Sequence, residues 1–265
     1  MQLHEKYRPR TLADMAGQEA AVSDIHTITQ RPGWDGDAFW LSGPSGAGKT
    51  TLANILALLY ADPFDVQDLV GSNCTIEAMR ELEDGFCLSG FGPKGWRAYI
   101  VNEAHAMTAK AVQSWLTLLE PLRPRRLVIF TSTQSLDGSL FGDFTEPFAS
   151  RVKLIRLEQN VEGFAARARH IAALEGLDGR PLEDYRRLVR QCHFNLRAVL
   201  QKVEAGEMLR KVPRPSGSGA PAGLSPQSQA FARYRQHPTP EHRAEWLAAK
   251  RKEAHEQSPR PLKRP

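Results

Sequence analysis

The stretch GPSGAGKT, Gly43 to Thr50, sets three glycines, a lysine and a hydroxyl at the spacing G-x-x-x-x-G-K-[ST]. Glycines at these places let consecutive backbone N–H groups turn inward around phosphate oxygens. Lys49 then brings a cation to the β and γ phosphates, and Thr50 offers a hydroxyl oxygen to Mg²⁺, a hard ion that selects oxygen ligands. The phosphate cradle therefore comprises Gly43, Pro44, Ser45, Gly46, Ala47, Gly48, Lys49 and Thr50, with Thr51 beside it. Such a cradle needs an acidic strand end to complete the metal shell and polarise water. The stretch YIVNEAH, Tyr99 to His105, supplies one about fifty residues later. Glu103 is the candidate base, and Asn102 the candidate metal-shell residue acting through water, an oxygen acceptor without charge. The chemistry expected is Mg-ATP binding and hydrolysis, with turnover slowed by the missing charge at position 102.

Residues of this kind must be held by strand ends and a helix N-terminus. Apolar β-type runs occur at 38–42 (AFWLS), 97–102 (RAYIVN) and 126–133 (RLVIFTST). Between them Leu52, Ile55, Leu56 and Leu59 recur at helical spacing, as do Val112, Trp115, Leu116 and Leu119. Apolar strands alternating with helices predict a parallel α/β sheet with helices on both faces. The cradle follows the first strand and opens the first of these helices, the context that a P-loop requires. After Leu157 the pattern is helical only, near 161–175, 181–191 and 195–209. The predicted organisation is an ATPase domain at 1–157, a small helical lid at 158–210 and a flexible basic tail at 211–265.

Composition supports this division. At 265 residues and 41% hydrophobic content the chain can bury a substantial core. It contains no apolar run of membrane-spanning length, and its N-terminus lacks the charged-then-apolar pattern of a secretion signal, so a soluble cytoplasmic protein without a membrane partner is expected. Cys74, Cys87 and Cys192 lack CxxC spacing, which predicts reduced thiols rather than a zinc module. The net charge is +5, yet residues from Lys211 onward carry +7 and leave −2 for residues 1–210. The tail opens with PRPSGSGAPAGLSPQSQ, a composition that reads as a linker. A helix is predicted at 239–256, capped by Thr239 with Pro240 at its first position.

The ordered set EKYRPRTLADMAGQEA (5–20), the P-loop, VNEAH, FASRVKLIRL (148–157) and FNLRAVLQKVE (194–204) resembles AAA+ clamp-loader ATPase subunits. With VGSNCTIEAMR (70–80), the resemblance is greatest to the small subunit of tailed-phage clamp loaders. Replication factor C small subunits and the bacterial tau/gamma subunit are more distant. It covers residues 3 to about 209. The resemblance implies a P-loop AAA+ sheet followed by a lid, and an oligomer of like or unlike AAA+ subunits that uses Mg-ATP to load a sliding clamp on primer-template DNA. It also implies the cytoplasm of a bacterial host if the chain is phage-encoded.

Individual roles follow from the same resemblance. Arg151, after Ser150, matches the arginine finger that reaches a neighbour's γ-phosphate, and Arg197 matches the sensor-2 arginine of the lid. Ser132 or Thr133 matches the sensor-1 polar group. Tyr7, Arg8 and Pro9 match the segment lining the nucleotide base, although Tyr7 reads equally as a core tyrosine.

Three features depart from the family. Asn102 replaces its aspartate. The start of the helix after Gly71 is neutral at Asn73, Cys74 and Thr75, leaving Arg80 and Lys110 as candidates for DNA contact. A further helical collar does not fit after Arg210, so the tail helix reads as a reduced assembly element, a partner peptide built around Trp246 and Leu247, or a solvated helix. Another AAA+ DNA-remodelling ATPase, or a nucleotide-binding assembly subunit with little turnover, are the alternative readings.

Overall fold

The computed structural model describes residues 1–120, 122–137, 140–209, 230–231, 233–235 and 240–256. Five parallel strands form one sheet: β1 (Gly36–Ser42), β2 (Val66–Val70), β3 (Arg97–Asn102), β4 (Arg126–Ser132) and β5 (Lys153–Arg156). Their spatial order is β2-β3-β4-β1-β5. The three strands expected from sequence are the central ones, and β4 is buried along its whole length. β2 and β5 lie at the edges and were not expected. VQDLV has no buried residue and KLIR buries only Ile155, so neither makes the apolar run that marks a central strand.

The helices from the N-terminus to β5 are α1 (Leu3–Lys6), α2 (Glu19–Thr29), α3 (Lys49–Tyr60), α4 (Ile76–Cys87), α5 (Ala109–Leu119) and α6 (Thr145–Ala149). Two cores cover the two faces of the sheet. One packs Leu52, Ala53 and Leu56 of α3 and Ile25 of α2 on Phe39, Leu41, Ile100 and Ile129. The other packs Met79, Leu82 and Phe86 of α4 and Val112 and Trp115 of α5 on Trp40, Tyr99, Val101 and Phe130. Alternate residues of one strand thus feed opposite cores, and burying each large side chain contributes on the order of 2 kcal/mol.

A third core belongs to α7 (Val161–Leu174), α8 (Leu182–Gln191) and α9 (Leu196–Glu204), and includes Phe164, Tyr185, Leu188 and Val199. The last of these helices ends at Glu204, short of the expected 209. Asn160 caps α7 by accepting from the Gly163 N–H at 2.9 Å, and Asn195 caps α9 by accepting from Ala198 N–H at 3.1 Å. Leu3 and Tyr7, although first in the chain, pack into this helical core.

Contacts divide the chain into two units, Met1–Arg210 and Lys211–Pro265. Within the second, α10 (Pro240–Glu256) presents Trp246, whose ring lies 5.2 Å from Phe231 and 6.0 Å from Tyr234 between centroids. The expected linker and the Thr239 cap fall outside the described residues. No described helix is long and apolar enough to cross a membrane.

Candidate active site

The P-loop connects β1 to α3 and carries Gly43, Gly46 and Gly48 at φ of 153°, 76° and 102°. Gly46 has a second constraint. A Cβ built there would meet the Asn195 side-chain oxygen at 1.9 Å, so the cap of α9 rests against the loop. This contact sets the N-terminus of α9 against the P-loop; Arg197, in the first turn of that helix, is exposed. Lys49 Nζ donates to the carbonyls of Gly43 and Pro44, both at 2.8 Å. Burial pushes its ammonium down to a pKa of about 8.

Three polar side chains converge beside Thr50. Its hydroxyl donates to Asn102 Oδ1 at 3.1 Å, and the Thr131 hydroxyl donates to the same oxygen at 2.9 Å. Asn102 Nδ2 donates to Asp68 Oδ1 on the neighbouring strand at 2.7 Å. Hydroxyl, amide and carboxylate oxygens are the donor set that suits a hard divalent cation, so the residues fit magnesium.

Glu103 follows at the end of β3 with φ 52° and ψ 42°, a left-handed conformation that a glutamate adopts at a cost. Its backbone is held from two sides. Ala106 N–H donates to its carbonyl at 2.8 Å, and Gly71 abuts it so closely that a Cβ there would lie 2.4 Å from Glu103 O. The backbone at Glu103 is therefore fixed, and its exposed side chain leaves from the end of β3.

The two sensor-1 candidates differ in setting. Ser132 is buried at the end of β4, where its hydroxyl lies 3.3 Å from His105 Nδ1 and accepts from Gln134 N–H at 2.9 Å. Thr133 is exposed just beyond the strand. Sequence reasoning missed Thr131, one residue earlier and in direct contact with Asn102. Registering β3 on β4 would have found it, because Val101 pairs with Phe130, and one residue further along each strand stand Asn102 and Thr131.

The N-terminal segment reaches the site through Arg8, whose Nε donates to Thr51 Oγ1 at 3.3 Å. Pro9 follows it, half-buried. The Tyr7 hydroxyl instead donates to Glu175 at 2.5 Å, and that bond, together with burial, raises its pKa. Gln18 is buried and ties this end to the P-loop and to the segment after β5: its amide donates to the carbonyls of Ala47 and Glu158 and accepts from Glu158 N–H. Arg151 stands apart from this cluster, paired with Glu120 and donating to the Pro147 carbonyl at 2.7 Å.

No family model matches the chain. Among curated proteins, the Replication factor C small subunit of Haloarcula marismortui is 28% identical over 179 residues, covering 66% of this chain and 53% of the relative. The DNA polymerase III subunit gamma/tau of Mycobacterium tuberculosis is 28% identical over 159 residues, covering 51% of this chain and 27% of the relative. The chain is similar in sequence to these clamp-loader subunits. It spans about half the length of the replication factor C relatives. Among solved structures, the RuvB Holliday junction branch migration motor of Thermotoga maritima matches with a TM-score of 0.56 at 17% identity, covering 75% of this chain and 64% of that one. The sheet order and helices therefore form an AAA+ fold.

Proposed function

We propose that the chain is an ATPase subunit of a sliding-clamp loader that uses Mg-ATP to place a clamp on primer-template DNA. The observation that carries this reading is the convergence of Thr50, Thr131, Asn102 and Asp68 beside the P-loop, with Glu103 fixed at the next residue. The names of the relatives support the replication setting, and cytoplasmic location follows from it.

In this reading the P-loop amides and Lys49 bind the phosphates, while Thr50 and Asn102, through water, hold magnesium. Bound magnesium neutralises charge on the transferred phosphoryl group. Glu103 accepts a proton from the attacking water, and Ser132 or Thr133 orients that water. Arg197 senses nucleotide from the lid, residues 158–210, because the α9 cap touches Gly46. Arg151 serves the site of an adjoining subunit in a homo- or hetero-oligomer. Tyr7, Arg8 and Pro9 border the base, with Arg8 tied to Thr51. The exposed Arg80 on α4 and Lys110 in the first turn of α5 offer cations to DNA phosphates, a salt-sensitive and sequence-independent mode.

A second reading, a nucleotide-binding assembly subunit with little turnover, is favoured by the uncharged Asn102. ATP hydrolysis measured with and without primer-template DNA and clamp separates the two. Stimulation by both supports the loader, and Lys49→Ala should abolish ATP binding. Tight binding with no turnover under any condition favours the assembly subunit, and unchanged binding by Lys49→Ala overturns both.

A further inference from the structure

We infer that Asp68 is a positioning residue of the metal shell: it fixes the Asn102 amide and supplies, from the next strand, the charge that Asn102 lacks. The inference rests on the Mg-ATP reading of the site. Register begins the argument. On β2, Asp68 pairs with Ile100 and Val70 with Asn102, and residues two apart share a face. Asp68 and Asn102 are therefore diagonal neighbours on the face that α3 covers, within side-chain reach.

The chemistry of the pair decides which way the amide points. An ionised carboxylate only accepts hydrogen bonds, so Asn102 must turn its NH₂ group toward Asp68, at 2.7 Å. Its oxygen then faces Thr50 and Thr131. Reversing the amide would set oxygen against carboxylate and leave the NH₂ group facing the hydroxyls. Asp68 thus selects the orientation in which an oxygen adjoins the P-loop hydroxyl.

Charge is the second part. Asp68 is exposed and joins none of the ion pairs found among the described residues, so no cation among those residues pairs with it. Together Asp68 and Asn102 present one negative charge. An aspartate at 102 beside Asp68 would present two in contact, a like-charge pair that destabilises the metal-free protein. The amide at 102 and the carboxylate at 68 are in this sense one acidic group divided over two strands.

The test titrates magnesium against binding of a fluorescent ATP analogue, with an EDTA baseline, in the full chain. Asp68→Asn keeps an oxygen acceptor for Asn102 and removes only charge, so it should fold normally and need about two- to fivefold more magnesium, the scale of one solvated charge. Asn102→Asp should lower the melting temperature in EDTA and regain it with magnesium. The exchange Asp68→Asn with Asn102→Asp restores one amide and one carboxylate, and should return both melting temperature and magnesium midpoint toward the parent. A parental midpoint in Asp68→Asn, or no recovery in the exchange, overturns the inference while leaving Mg-ATP binding intact. Lys49→Ala is the control for the underlying reading. If that variant binds the analogue like the parent, the nucleotide assignment fails and this inference with it.

Discussion

The surroundings of Thr50 and those of Arg151 are held in opposite ways. Around Thr50, three strands and a helix N-terminus are joined by hydrogen bonds that converge on one amide, Asn102, and the backbone of the neighbouring Glu103 is fixed by contacts of its own. Around Arg151 the partners are surface groups, the exposed Glu120 carboxylate and a helix-end carbonyl, which a phosphate could replace. Exposed ion pairs contribute little stability, typically below about 1 kcal/mol, so releasing this one costs little. The first arrangement suits a group that works within its own chain. The second suits one that exchanges partners.

The sharpest way to break this comparison is to separate the halves genetically. Arg151→Ala should bind ATP like the parent yet lose on the order of 10³ in stimulated hydrolysis, the effect of removing an arginine finger. Glu103→Gln should be inactive for the opposite reason, keeping the finger and losing the base. Mixed together, the two variants create some interfaces with an intact base and an intact finger, and activity should return. Silence from a mixture that sizing shows to be co-assembled would make Arg151 a surface arginine paired with Glu120 and nothing more.

A smaller effect sharpens the P-loop half. Burial holds the Lys49 pKa at about 8, below its ordinary value of 10.5. Between those values the unfolded chain binds more protons than the folded one, so the empty protein gains stability as pH rises through this window. Triphosphate binding supplies the counter-charge and favours the protonated lysine. Binding should therefore take up a proton at and above pH 8, and affinity should fall there by up to about tenfold per pH unit. Calorimetric titrations in two buffers of different ionisation enthalpy measure that uptake. Affinity that stays level from pH 7 to 9.5, with no proton uptake, would show that the phosphates do not engage Lys49.

What the sequence made legible follows the same division. The glycine spacing and the three apolar strands identified the cradle because both signals are local: Gly43 to Thr50 is contiguous, and β4 is buried throughout. Asp68 was hidden because it lies 34 residues from Asn102, on an edge strand with no buried residue. Thr131 was hidden inside a run that reads as core, since only strand register reveals that it meets Asn102. The capping role of Asn195 could be read from its type and place, but its contact with Gly46 joins positions 149 residues apart and needs the fold. Local patterns specify the elements, whereas the charge and orientation of the site arise where elements meet.

The smallest effect concerns Glu103, whose left-handed backbone has a measurable cost. A residue with a Cβ held at φ 52° carries strain on the order of 1 kcal/mol that glycine does not. The Glu103 side chain is exposed, so removing it sacrifices little packing. Glu103→Gly and Glu103→Ala both delete the carboxylate and should be equally inactive. They should differ in stability, with glycine about 1 kcal/mol the better of the two, a difference of roughly 3 °C in melting temperature for a unit of this size. Gly71 explains why the strain persists, since its close approach fixes the Glu103 carbonyl and prevents the turn from relaxing. Equal melting temperatures for the two variants would mean that the backbone at 103 leaves the left-handed region when the side chain is cut back. The orientation of the base would then depend on the carboxylate itself rather than on the turn that carries it.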